Sequence, residues 1–428
     1  MATPSTRSTL PSTPFDATGS PAIPRPEVAV VRQPIADERH GIVGYELLFD
    51  AARQSGDPSQ DARATSALIA DAFGDIGLER LAGRHPAWLS IARNFLVEVG
   101  PPPVRPDRAV LQIAAYPARD DLLTLLQTLS RGGYSLALTD FEGDLDLGVL
   151  LDICSIVKVN VEGKSDEALA QATAAPRAAG ALLVAKGVST PEEFERCREF
   201  GFAYFQGDFF CKPREMRYRG VSAGSVGSLQ TLAGLSGADV GFEELEQIIT
   251  SDVGLSLKLL RYVNSAFFAL PRTIGSVREA LSMLGTRMVR RWALVVAMAD
   301  NPNTPDELVA VALQRARMCE RLGAMGSPQD REVLFTIGLF SVADALLGAP
   351  MEEVLSTLPF SLEIEAALLR HEGTKGELLA AVLDYERGAF PSAPVAGATV
   401  SLAGAYREAL EYADEATRTV RGGLDDDA

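Results

Sequence analysis

Between Val28 and Pro213, short apolar runs alternate with stretches of helical pattern. The runs are VAVVRQPIA, YELLFD, AWLSIAR, AVLQIAA, SLALTDF, IVKVNV, ALLVAKGV and YFQGDFF. Several are apolar on both faces, the pattern of parallel strands covered by helices. Only the polar segment Asp37 to His40 separates the first two, which leaves no room for a crossover helix, so they pair as an antiparallel hairpin. The others leave space for helices, as at Asp120 to Leu129 and Pro191 to Phe200. Eight strands with such connections predict an α/β domain, a TIM-like (β/α)8 barrel with an antiparallel first hairpin.

Beyond Pro213 the strand signal fades, and RGVSAGSVGS reads as a linker. From Leu229 the period is helical: Phe242, Leu245, Ile248 and Ile249 share one face, as do Leu255, Leu259, Leu260 and Val263. Asp252 is placed to N-cap the second of these helices, and Ser276 with Glu279 forms a capping box for the next. The tripeptide Asn264 to Ala266 is expected to end a helix and cap neighbouring backbone. Further helices are predicted over 305–322, 330–347, 362–370 and 375–385. The division expected is a tail over 1–26, the barrel over 27–214, a linker over 215–228, an all-α domain over 229–412 and a solvated acidic tail over 413–428.

A chain of 428 residues is too long for one ordinary core and fits two or three domains. No stretch stays apolar for the ~18 residues a membrane span requires, and the Ser/Thr/Pro-rich N-terminus lacks the apolar region of a secretory signal. Cys154, Cys197, Cys211 and Cys319 show no CxxC pairing and read as reduced thiols. Together these features predict a cytoplasmic protein without membrane insertion. A formal net charge of −17 argues against general nucleic-acid binding.

In such a barrel the chemistry collects at the C-terminal strand ends. Here those ends carry Gln33, Glu46, Ser90, Gln112, Thr139 with Asp140, Lys158, Lys186 and Gln206. Taken as residues alone, Glu46 and Lys158 fit a buried ion pair inside the barrel, and Asp140 an acceptor for neighbouring backbone amides.

The ordered set RQPIAD, YELLFD, LTDFEGD, IVKVNV, LLVAKGVST and YFQGDFF resembles the EAL-type cyclic-di-GMP phosphodiesterases over Val28 to Pro213. The second half resembles an HDOD domain through ITSDVGLSLKLLRYVNSAFFALPRTIGSVREALSMLG, and the pairing itself is known in bacterial signalling proteins. The resemblance implies that active members hold two divalent metals through carboxylates and an Asn, with a Lys near the attacking water. Glu46, Asp140, Lys158 and Gln206 match retained family positions. Ser90 stands where the third-strand Asn is expected, Gln112 and Lys186 where Glu is expected, and Thr139 where the first Asp of a pair is expected. Glu46 and Asp140 are then offset by Lys158 and Lys186, and a pocket of near-zero charge should not hold two dications. Asp50 replaces a motif Arg and argues against binding a doubly anionic dinucleotide, for which Gln33, Glu46, Asp140 and Gln206 are the candidate contacts. The segment EGDLDLG after Phe141 also lacks the small-residue loop that, by the resemblance, links substrate binding to dimerisation.

HDOD domains are related to HD phosphohydrolases, yet Ser341 and Val342 fall at the place of the His-Asp pair. His40, His85 and His371 are scattered, and each reads as a surface or capping residue. Arg287, Arg290 and Arg291 beside Trp292 could meet an acidic partner, although a solvated helix face is the expected reading. The function expected is therefore a non-catalytic signalling scaffold working through a protein partner, without a cofactor and with no functional metal site. The alternatives are a residual phosphodiesterase using Mg or Mn, and a cyclic-di-GMP binding effector without hydrolysis. Self-association into a homodimer is a further implication of the resemblance.

Overall fold

The computed structural model describes residues 29–49, 77–98, 100–115, 120–141, 148–211, 231–236, 240–268, 270–299, 305–324, 326–390, 395, 398 and 400–425. The expected N-terminal tail and linker, Asp50 and the loop after Phe141 lie outside them.

Strands β1 (Val30–Asp37), β2 (Ile42–Phe49), β3 (Ala87–Ser90), β4 (Ala109–Ala114), β5 (Ser135–Thr139), β6 (Ile156–Asn160), β7 (Leu182–Lys186) and β8 (Tyr204–Gln206) close into a barrel in sequential order. Strand β1 runs antiparallel to both neighbours, β2 and β8, while the remaining pairs are parallel. The β1–β2 turn is tight because the Asp37 carboxylate accepts from the amides of Arg39 and Gly41, each at 2.8 Å, and His40 takes a left-handed φ of 64°. Helices α1 (Leu78–Ala82), α2 (Arg93–Glu98), α3 (Asp120–Arg131), α4 (Gly148–Ile153), α5 (Asp166–Ala178) and α6 (Pro191–Glu199) connect the parallel strands.

Period two along the strands sorts the barrel interior into layers. Ile35, Trp88, Val110, Ala137, Ile156 and Val184 form an apolar cluster of their own. Two residues along each of the same strands, on the same face, stand Gln33, Ser90, Gln112, Thr139, Lys158 and Lys186. An apolar plug therefore carries a polar layer on its C-terminal side. Gly44 is the β2 counterpart of the plug: a Cβ there would lie 2.3 Å from Trp88 Nε1, so the indole fills the space a side chain would need.

The second half is helical: α7 (Phe242–Ser251), α8 (Val253–Val263), α9 (Val277–Leu284), α10 (Thr286–Ala299), α11 (Asp306–Leu322), α12 (Pro328–Phe340), α13 (Ala343–Leu347), α14 (Met351–Ser356), α15 (Leu362–Arg370), α16 (Gly373–Glu386) and α17 (Leu402–Asp425). Asp252 caps α8 by accepting from the Leu255 amide. Asn264 ends α8, its amide donating to Leu260 O and Ile274 O while its Oδ1 accepts from the Ile274 amide at 2.7 Å. At α9 only half of the expected box forms, because Glu279 takes the amide of Gly275 instead of that of Ser276.

Two expectations change. One helix over 330–347 is in fact α12 and α13, broken where Ser341 donates to the Gly338 carbonyl and closes the last turn on itself. The solvated tail expected from residue 413 is instead helical through Asp425, with Ala413 and Ala416 buried.

Strand β1 outruns β8, which pairs only with Ile35 to Asp37. The unpaired edge over Val30–Arg32 would be an open row of backbone donors and acceptors. The helical half covers it: Tyr406 Oη accepts from the Arg32 amide at 2.9 Å, and Tyr385 Oη donates to Val30 O at 3.4 Å.

Candidate functional site at the barrel mouth

The polar layer centres on Glu46, which is 3% exposed. Its Oε2 lies 3.2 Å from Lys158 Nζ and also accepts from Gln206 Nε2, while its Oε1 accepts from Gln112 Nε2 at 2.8 Å. Register explains the assembly, since Gln33 stands opposite Glu46, Ser90 opposite Gln112, and Lys186 opposite Gln206. Gln112 donates to Ser90 Oγ as well, at 3.3 Å, and Gln206 to Gln33 Oε1 at 2.9 Å.

Burial by itself would raise the Glu46 carboxyl, but Lys158, Lys186 and the amides of Gln206 and Gln112 outweigh it and hold the carboxyl below its ordinary range. For Lys158 the largest influence is also burial, which with repulsion from Lys186 outweighs the attraction of Glu46 and Asp140 and lowers its ammonium. The Lys158 ammonium further sits 5.4 Å from the centre of the Trp88 ring. Both Glu46 oxygens are thus engaged by donors from three strands.

Asp140 is not part of that cluster. It is exposed, with a left-handed φ of 56°, and Thr139 Oγ1 donates to it at 3.4 Å. The expected role as an acceptor for backbone amides is not seen among the described residues. A left-handed backbone at a strand end is a geometry that the sequence pattern does not disclose.

No group of three or more His, Cys, Asp or Glu among the described residues could hold a metal ion. The one buried carboxylate of this layer, Glu46, is opposed by the ammonium groups of Lys158 and Lys186, so the donors described here do not fit a pair of dications.

In the helical half, Ser341 sits at the end of α12, and Arg315 Nη1 reaches its hydroxyl at 3.4 Å. Arg315 also binds Glu386 at 2.8 Å, and both are largely buried. Neither contact was legible beforehand, since nothing in the local pattern pairs α11 with the end of α16. Within the basic cluster Arg287 is exposed, as a solvated face requires, but Arg290 and Arg291 are not. Arg290 pairs with Glu332, and Arg291 pairs with Glu320 at 2.9 Å while stacking 3.9 Å over Phe335. Core-facing acids on α11 and α12 have claimed these cations. His371 is the left-handed C-cap of α15, and His40 packs on Phe194 and Phe209. No described helix is long and apolar enough to cross a membrane.

The HDOD domain family model matches residues 228–357. A Vibrio cholerae protein named cyclic di-GMP phosphodiesterase CdgJ is 33% identical over 357 residues, spanning 82% of this chain and 83% of its own length. The uncharacterized protein YuxH of Bacillus subtilis is 27% identical, over 90% of this chain and 98% of its own. Among solved structures, Klebsiella pneumoniae BlrP1 in a manganese and cyclic-di-GMP complex matches with a TM-score of 0.34 and 21% identity, over 43% of this chain and 55% of that one. The same protein has also been solved with calcium and the dinucleotide. The expectation of no cofactor is corrected accordingly: BlrP1 has been solved with manganese or calcium together with the dinucleotide.

Proposed function

This chain belongs to the EAL-HDOD family of cyclic-di-GMP signalling proteins, and from that premise we propose that it is a signalling component whose barrel responds to cyclic di-GMP with little or no turnover. The output passes to a protein partner through the helical half, in the cytoplasm. The observation that carries this reading is the engagement of Glu46: its two oxygens are held by Lys158, Gln206 and Gln112, and Lys186 adds a second cation. In-line hydrolysis of a phosphodiester calls for metal-bound oxygen ligands around the reacting phosphate. Gln112, Thr139 and Lys186 supply no carboxylate for that purpose, while the partly exposed Lys186 ammonium at the mouth suits a phosphate of the dinucleotide.

A second reading, a slow phosphodiesterase, is favoured by the name of the relative that is 33% identical. The two are separated by incubating the full chain with cyclic di-GMP and saturating Mn²⁺, following both binding and product. Binding without linear product supports the signalling reading, whereas product at an enzyme-like rate that is lost in Glu46→Ala supports the second.

A further inference from the structure

The polar layer does not stop at the barrel wall. Gln206 Nε2 donates both to Glu46 Oε2 and to Gln33 Oε1, and Gln33 Nε2 donates onward to Glu386 O at 3.3 Å. Glu386 is the last residue of α16, and its carbonyl is one of the helix-end acceptors that no intrahelical amide can satisfy. A barrel side chain therefore caps a helix of the other half. From the same residue, the Glu386 carboxylate accepts from Arg315 Nε at 2.8 Å and Gln314 Nε2 at 3.0 Å, and Arg315 continues to Ser341 Oγ.

We propose that the line Glu46, Gln206, Gln33, Glu386 and Arg315 is a built-in coupling device that transmits a change at the barrel centre to the C-terminal turn of α16 and the α11–α12 contact. Each amide in the line has a fixed polarity. Gln33 presents its oxygen to Gln206 and its nitrogen to Glu386, so an event that draws Gln206 away from Glu46 also withdraws the partner that orients Gln33. The Glu386 carbonyl then loses its donor, and the last turn of α16 opens more easily. The same turn holds the Arg387 amide on the carbonyls of Leu383 and Asp384, the Gly388 amide on that of Tyr385 and the Ala389 amide on that of Asp384. A chain of contacts alone does not demonstrate coupling, which requires that a change at one end be felt at the other only while the middle is intact.

The proposal rests on geometry and not on the signalling reading, so its test uses no nucleotide. Amide hydrogen exchange at Arg387, Gly388 and Ala389 is measured in the full chain for wild type, Glu46→Gln, Gln33→Leu and the double variant. Glu46→Gln should speed exchange there by roughly threefold to tenfold, the effect of one weakened hydrogen bond, and should add nothing once Gln33 is already Leu. Unchanged exchange in Glu46→Gln, or an equal increase in the Gln33→Leu background, would overturn it. Should Glu46→Gln fail to fold, Gln206→Leu interrupts the same line one residue further on and is read by the same criterion.

Discussion

Arg32 on β1 grips Asp414 on α17 with both terminal nitrogens, Nη1 to Oδ2 at 3.0 Å and Nη2 to Oδ1 at 2.7 Å. The guanidinium also lies 4.5 Å from the Tyr45 ring centre, while Tyr45 Oη donates to Glu307 on α11 at 2.8 Å. Outward-facing residues of β1 and β2 thus hold the helical half while their inward neighbours, Gln33 and Glu46, build the barrel centre. Arg32→Met leaves Asp414 partly buried without its cation. Because the Asp414 side chain is 29% exposed, the expected loss is about 2–3 kcal/mol, below that of a fully buried pair. Urea unfolding of the full chain checks this, and a change within ~0.5 kcal/mol would mean that the halves are held together elsewhere.

Lys158→Met should be among the most damaging single changes in the barrel, costing about 3–5 kcal/mol, because it strands the Glu46 carboxylate in an interior where the lysine is only 1% exposed. Lys158→Met with Glu46→Gln should recover most of that loss, since the buried charge is then gone. Denaturant midpoints of the three variants and wild type close the cycle.

The pair also sets a pH response. The lowered Glu46 carboxyl contributes stability that is complete above its ordinary value of 4.5 and is lost as pH falls through its lowered folded value. The lowered Lys158 ammonium is a cost and not a gain, complete below its folded value and relieved as pH rises toward 10.5, so it too makes stability rise with pH. Glu46→Gln should therefore flatten the acid limb of a stability profile. An acid limb identical to that of wild type would show that other carboxylates govern it.

Gly338 marks a close approach of α12 to α11, where a Cβ would lie 2.5 Å from Arg315 O and 2.6 Å from Ala316 Cα. Since the obstructing atoms are backbone, Gly338→Ala should cost about 1–3 kcal/mol despite its better helix propensity. Thermal unfolding of the full chain is the readout.

Restoring acidity should bring divalent metal affinity toward that of the family. Gln112→Glu, Thr139→Asp and Lys186→Glu together change the mouth by four negative charges, one, one and two in turn. Calorimetry with Mn²⁺ should show at least about tenfold tighter binding than wild type, a gain of ~1.4 kcal/mol.

Much of the barrel was legible because strand periodicity and connection length act locally. All eight strand runs form strands, and the short Asp37 to His40 link does give the antiparallel hairpin. The joining of Glu46, Gln112, Lys158 and Gln206 also followed, since strand-end residues of a closed barrel converge. The contacts of Asp140, Arg290 and Arg291 were not legible. A left-handed backbone at one residue and an ion pair between helices far apart in sequence leave no trace in local pattern. The seam between the halves was hidden for the same reason: Arg32 and Asp414 are separated by 382 positions.

We propose that the barrel centre, committed to its own lysine and amides, reads the nucleotide as a signal and does not turn it over. The most direct measurement is the rate at which the purified full chain linearises cyclic di-GMP with saturating Mn²⁺, read beside a binding isotherm. Binding with no turnover above the variant Glu46→Ala is the predicted result. Turnover at or above roughly 1 s⁻¹ that vanishes in Glu46→Ala would contradict it.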